Sequence, residues 1–174
     1  EEGITEATKI QELAIPFVLE GKDVIGKSYT GSGKTVAFGV PIIQKTNPGS
    51  GLKTVILAPV RELAVQIAGE MKKFSKYKKC SIAVVYGGVG MDPQVRDMAK
   101  ADILVATPGR ILDHLQRGNV DFSKVEHFVL DEADKMVEMG FIEDVERIMS
   151  EAPASRQVIL FGATISGEIE VIQK

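Results

Sequence analysis

The chain has 174 residues, 44% hydrophobic and 26% charged, with 21 basic against 24 acidic residues and a formal net charge of −3. This mix suits one globular domain with a sizeable core and excludes a disordered chain; the mild acidity excludes coating of nucleic acid by bulk charge, so any such site must be a local surface. A single cysteine, Cys80, excludes an internal disulfide and makes no zinc spacing with His114 and His127, which read as structural or surface groups beside a small half-buried thiol.

The chain opens on Glu1-Glu2-Gly3. The missing initiator methionine suggests a fragment. No basic start or apolar stretch marks a signal peptide, and no apolar run approaches the roughly 20 residues of a membrane span. A soluble intracellular setting, cytoplasmic by default, is the expectation.

The first short apolar run, residues 23–26, reads as a strand. It leads into Ser28-Tyr29-Thr30-Gly31-Ser32-Gly33-Lys34-Thr35, and a helix then runs through Ile43. A strand, a Gly-rich loop closing on Gly-Lys-Thr and a helix form the context of a phosphate-binding loop. Gly31 and Gly33 let the backbone turn and aim N–H groups at phosphates, and the helix N-terminus adds its positive dipole end. Lys34 supplies a mobile charge for the β- and γ-phosphates, and Thr35 offers a hydroxyl to Mg²⁺. Ser28 stands where the general pattern begins with Gly. Residues 47–51, Asn-Pro-Gly-Ser-Gly, form a surface loop.

Further strands are expected at 54–58, 82–86, 103–106, 127–130 and 158–161. Several lack polar alternation, as strands buried on both faces do. Helical spacing lies between them. Leu63, Ile67, Met71 and Phe74 share one face, Ile111, Leu112 and Leu115 another, and Phe141, Val145, Ile148 and Met149 a third. Alternating strands and helices predict a doubly wound α/β fold, a mostly parallel sheet with helices on both faces, and ligands at the carboxyl ends of its strands. Lys72, Lys73, Lys76, Lys78 and Lys79 read as the solvated side and exit of one helix.

The run 125–130 ends in Asp131-Glu132-Ala133-Asp134. Asp131 is expected to hold Mg²⁺ through water, and Glu132 to orient and deprotonate the attacking water. The bland alternative is an acidic helix N-cap, which fits Asp134 in particular.

Asp131-Glu132-Ala133-Asp134 spells the signature of the DEAD-box RNA helicases, and the chain resembles the amino-terminal RecA-like domain of that family over essentially its whole length. The motif order agrees. Gly3, Ile4, Thr8, Ile10 and Gln11 look like the Q motif, Ser28–Thr35 like motif I, Pro59-Val60-Arg61-Glu62-Leu63-Ala64 like motif Ia, Gly87-Gly88 like the double glycine, and Thr107-Pro108-Gly109-Arg110 like motif Ib. Gly162-Ala163-Thr164 stands where the family has Ser-Ala-Thr.

The resemblance implies that Gln11 reads adenine, that Thr30, Gly31, Ser32, Gly33, Lys34 and Thr35 hold ATP, and that Lys34, Asp131 and Glu132 carry hydrolysis with Mg²⁺. It implies RNA backbone contacts at Pro59, Arg61, Gly88, Thr107, Gly109 and Arg110, blind to sequence. Asp134, Gly162 and Thr164 would couple hydrolysis to unwinding. It also implies a second RecA-like domain beyond residues 1–174, without which this domain is nearly inactive. The alternative for 107–110 is a plain strand-to-helix turn with Pro near the helix start.

The chain departs from the family's usual pattern at Ala7, Lys9, Ser28, Tyr29, Val60 and Gly162. Rival readings are another phosphate-loop enzyme, a DNA helicase of the wider superfamily, or an ATP-dependent RNA clamp. A GTPase would carry Asn-Lys-x-Asp, and no such string occurs.

Overall fold

Six short strands make one sheet in which every neighbouring pair runs parallel, in the order β1-β6-β5-β2-β4-β3. They are β1 (Val24–Lys27), β2 (Thr54–Leu57), β3 (Ile82–Val85), β4 (Ile103–Ala106), β5 (His127–Leu130) and β6 (Gln157–Gly162). The computed structural model describes residues 9–27, 33–164 and 167. The four inner strands are buried along their whole length, which is why they read as apolar runs without alternation. The edge strands β1 and β3 are only partly buried.

Successive side chains of a strand point to opposite faces, and each face has its own core. Leu57, Leu104, Phe128, Leu130 and Leu160 pack on one face under α4 (Met91–Lys100), α5 (Pro108–Gln116), α6 (Ala133–Glu138) and α7 (Ile142–Ser150). Ile56, Val105, Val129, Ile159 and Phe161 pack on the other under α1 (Lys9–Leu19), α2 (Lys34–Lys45) and α3 (Arg61–Phe74). The doubly wound architecture expected from the alternating pattern is thus the one observed.

The seating of α2 matters most for the site, because Lys34 is its first residue. Propensity does not hold this helix: Gly39 and Pro41 lie inside it, and an interior proline alone costs about 3 kcal/mol. Packing offsets that. Phe38 and Ile42 are fully buried, at about 1.5–3 kcal/mol each, and the Phe38 ring lies 6.0 Å from that of Phe161 on β6.

The structure adjusts several expectations. Strand β1 begins one residue later than the apolar run, and β6 begins earlier, at Gln157. That residue is polar, but its amide serves the interior: Nε2 donates to the carbonyls of Val18 and Lys22 while Oε1 accepts from His127 Nδ1 at 2.7 Å. Helices α4 and α6 carry no long apolar stripe, whereas α1 buries Ala14 and Val18 at helical spacing. In α4 only Gln94 and Met98 are buried, and α6 has six residues. Cys80 is buried, not half-buried, and that burial, aided by Asp102, pushes its thiol pKa up, as for an inert packed thiol. Both histidines are interior groups: His114 is fully buried and His127 nearly so.

Candidate functional site

The sheet order sorts the motifs into two neighbouring groups along one edge. The carboxyl ends of β1, β6 and β5 lead to Gly33-Lys34-Thr35, Gly162-Ala163-Thr164 and Asp131-Glu132. Those of β2, β4 and β3 lead to Pro59-Val60-Arg61, Thr107–Arg110 and Gly87-Gly88. Motifs scattered over more than a hundred residues of sequence therefore meet on the edge where parallel α/β sheets take ligands.

In the first group, Gly33 caps α2 in a left-handed conformation, φ 82°, where a side chain would be strained. Its carbonyl accepts from Ala37 N–H within the helix and from Gln11 Nε2 at 3.2 Å. Gln11, nearly fully buried on α1, is thereby tied to the residue that opens α2. Residues Gly3, Ile4, Ala7, Thr8, Ser28, Tyr29, Thr30, Gly31 and Ser32 lie outside the described residues. A hollow of about 260 Å³ is lined by Gly33, Lys34, Thr35, Asp131 and Glu132, with Leu63, Gln66 and Glu70 of α3 on its other wall.

Lys34 and Asp131 form the electrostatic centre. Lys34 Nζ lies 2.8 Å from Asp131 Oδ1 and 3.9 Å from Glu132 Oε1, and the two partners in the short contact are 8% and 0% exposed. Asp131 closes β5 with its N–H donating to Leu57. Its Oδ1 also accepts the Glu132 N–H at 2.9 Å. Burial pushes the Asp131 carboxyl above the usual carboxylate range, against the opposing pull of Lys34.

Asp131 Oδ2 is buried and meets no donor among the described residues. A buried carboxylate oxygen left in this state suits a cation or its water shell. Among the described residues no three His, Cys, Asp or Glu side chains converge on a metal position. Mg²⁺ is commonly held by one or two carboxylates together with substrate phosphates, so Asp131 with the nearby Thr35 fits that group.

Glu132 carries a left-handed backbone, φ 53°, an arrangement that costs of order 1 kcal/mol in a non-glycine residue and clusters at functional sites. It occupies the N-cap position of α6, yet its side chain makes no capping bond. Lys135 Nζ approaches it at 3.3 Å. The acidic-cap alternative therefore does not describe Glu132. Asp134, in the first turn of α6, accepts from Thr164 N and Oγ1 at 3.4 and 3.5 Å, so the three expected coupling positions meet. A Cβ at Gly162 would lie 3.0 Å from Asp134 Oδ1 and 3.2 Å from the Thr164 carbonyl.

In the second group, Pro59 is buried and Val60 and Arg61 are exposed at the start of α3. Gly88 is exposed with φ 84°. Thr107 caps α5 in an extended conformation with Pro108 at the first helical position, so the turn reading of 107–110 is structurally correct. Its side chain makes no capping bond, however. Gly109 is exposed, and Arg110 Nη1 donates to the Val89 carbonyl at 2.8 Å.

The sequence reading did not find Gln66, Glu70, Tyr86 or Gln94. Gln66 and Glu70 follow Glu62 at helical spacing, which was the available signal, and they pair at 3.4 Å. Gln94 was signalled only by being a polar residue that shares a face with Met98. A second hollow of about 250 Å³, lined in part by Gly51, Leu52, Asn119 and Lys124, sits at the opposite edge of the sheet, away from every motif.

Comparison with known proteins agrees with this geometry. The family model for DEAD/DEAH box helicases matches residues 8–172. An ATP-dependent RNA helicase CshA of Listeria monocytogenes is 49% identical over 98% of this chain, and one of Geobacillus kaustophilus 46% identical over the same share. The chain spans only 33% and 37% of their lengths. The crystal structure of a DEAD box protein from Methanococcus jannaschii superposes with a TM-score of 0.95 at 41% identity, covering 98% of this chain and 47% of that one. A hypothetical ATP-dependent RNA helicase from Sulfolobus tokodaii superposes at 0.89 with 40% identity, covering 98% of this chain and 50% of that one. With the motif order, the sheet and the family model in agreement, the chain belongs to the DEAD/DEAH box helicase family.

Proposed function

We propose that this chain is the amino-terminal motor domain of an RNA-dependent ATPase that locally unwinds RNA duplexes or remodels RNA–protein complexes. The observation that carries the reading is the division of one sheet edge. A buried Lys34–Asp131 pair stands at one half and two arginine-bearing turns at the other.

In this reading Lys34 leaves Asp131 to meet the β- and γ-phosphates, and residues 30–33 supply backbone N–H donors. Thr35 and Asp131 hold Mg²⁺, which supplies charge neutralisation for the transferring phosphoryl group. Glu132 orients the attacking water and accepts its proton. Gln11 reads adenine by donating and accepting through one amide. Pro59, Arg61, Gly88, Thr107, Gly109 and Arg110 line the path of the RNA backbone, with the two arginines meeting phosphates. Asp134, Gly162 and Thr164 link the two halves.

A second RecA-like domain completes the machine, in keeping with the greater length of the relatives. No helix among the described residues is long and apolar enough to cross a membrane, and a cytoplasmic setting belongs to the same proposal. ATP and RNA favour a closed two-domain state only as far as they bind it better than the open one, so residues 1–174 alone should hydrolyse ATP very slowly.

The test compares ATP turnover with and without RNA for this chain and for the longer protein. RNA-stimulated turnover in the longer protein alone is the expected result; robust stimulated turnover by residues 1–174 would overturn it. Glu132→Gln in the longer protein separates a motor from an ATP-dependent clamp. A motor loses strand separation over repeated cycles, and a clamp keeps its function.

A further inference from the structure

Arg61 and Arg110 follow different strands and lie on different helices, yet both are tied to the residues that follow β3. The Arg61 guanidinium carbon lies 4.5 Å from the centroid of the Tyr86 ring, within the range of a cation–π contact. The Tyr86 carbonyl accepts from Gln94 Nε2 at 2.8 Å. Gln94 Oε1 in turn accepts from Arg110 Nη1 at 3.2 Å. Tyr86 and Gln94 thus join the two arginines through one ring, one carbonyl and one amide.

Gln94 is itself held. It is 5% exposed, and a buried amide is tolerated only when its polar atoms are satisfied. Its Oε1 faces His114 Nε2 at 2.9 Å, and His114 Nδ1 faces Asn119 Nδ2 at 3.1 Å. The Asn119 amide nitrogen can only donate, so Nδ1 is the acceptor and Nε2 carries the proton that Gln94 receives. Every polarity in the chain Asn119–His114–Gln94–Tyr86 is consistent, which fixes the amide against rotation.

The bonding also selects which Arg110 donors are taken up within the protein. Nη1 has two hydrogens, and they go to Val89 and Gln94. Nη2 and Nε supply the remaining three donors, the edge suited to a phosphate.

We propose that Tyr86 and Gln94 are positioning residues for nucleic-acid binding: they hold Arg61 and Arg110 in a set relation, so that an RNA backbone meets two guanidinium groups already ordered. The inference rests on the reading that those arginines face RNA phosphates. Ordering a long cationic side chain during folding removes that entropic cost from binding.

The test measures binding of short fluorescein-labelled oligouridylate RNA to residues 1–174 by anisotropy across a salt series. The variants are Tyr86→Leu, Tyr86→Phe, Gln94→Leu, Arg61→Ala and Arg110→Ala, with thermal melts to check folding. Removing an arginine should weaken binding and lower the slope of log affinity against log salt by about 0.7, one phosphate contact on a single strand. Tyr86→Leu and Gln94→Leu should weaken binding by about tenfold while leaving the slope unchanged, because the charges remain and only their ordering is lost. Tyr86→Phe keeps the ring and should bind as the parent does. Tyr86→Leu should add nothing in an Arg61→Ala background, nor Gln94→Leu in an Arg110→Ala background.

Arginine variants that bind RNA normally would remove the underlying reading. Arginine variants that weaken binding beside leucine variants that do not would overturn this inference alone. If Gln94→Leu fails to fold, the Tyr86 pair decides the matter.

Discussion

Replacing Lys34 by Met should unfold the chain more readily even with no nucleotide present. Met keeps most of the apolar stem and removes only the ammonium, which lies 2.8 Å from a carboxylate with 0% exposure. Removing one member of a buried ion pair typically costs about 3–5 kcal/mol, because the other charge is left uncompensated. A second route gives a similar figure. The stranded Asp131 can always escape by taking up a proton. At pH 7 that costs an ordinary carboxyl about 4 kcal/mol, three pH units at roughly 1.4 kcal/mol each. For a chain of this length such a loss lowers the melting temperature by roughly 6–20 °C.

The sign with pH follows. Without Lys34 the folded-state pKa of Asp131 stands above its unfolded value, so the penalty is present at neutral pH and relieved as pH falls. At pH 5 the ceiling is about 1.5 kcal/mol. Lys34→Met with Asp131→Asn should recover most of the lost stability while still failing to bind Mg-ADP. Thermal melts in metal-free buffer check each step. A Lys34→Met protein that melts with the parent at pH 7, or a double variant that recovers nothing, would show that the pair is not the buried electrostatic unit described.

Three further outcomes follow from local geometry. Val60 occupies the N-cap position of α3 with extended φ and ψ and no side-chain cap; Val60→Thr should add about 1 kcal/mol, seen as a melting temperature roughly 2–4 °C higher, and an unchanged melt would contradict it. At position 162 the crowding against Asp134 should make Gly162→Ser slightly destabilising, by about 1 kcal/mol or less, and a loss of several kcal/mol in a urea melt would mean that the site cannot adjust. Burial lowers the pKa of both His127 and His114, the latter helped by Arg110, so both should titrate below about 6.5 in the folded chain by NMR. Stability should then fall as pH drops below that value, by up to about 1.4 kcal/mol per pH unit for each proton taken up; a flat profile between pH 7.5 and 5.5 would refute this.

The parts of the fold most legible in the sequence were those where one physical rule dominates. The buried strands β2, β4 and β5 declared themselves because both faces are covered, leaving no room for polar alternation. Helix α3 declared itself through Leu63, Ile67 and Met71. Residues 33–35 and Asp131 stood out in the sequence because Gly-Lys-Thr and an acidic pair each follow an apolar run, and the sheet brings these two segments together. Helix α4 was hidden because it buries an amide where a reader looks for an aliphatic stripe. The extent of β6 was hidden for the same reason at Gln157. What no local pattern could supply was the strand order, which alone sorts the motifs into two groups. Nor could spacing reveal that the Tyr86 ring lies against Arg61, a contact between residues 25 positions apart in sequence.

The most direct test of a nucleotide site at the β1-β6-β5 edge is calorimetric titration of residues 1–174 with Mg-ADP and Mg-GDP, repeated on Gln11→Ala. Preferential binding of ADP, weakened in Gln11→Ala, is the predicted result. Equal binding of the two nucleotides would contradict base reading by Gln11, and no binding of either would contradict the nucleotide site itself.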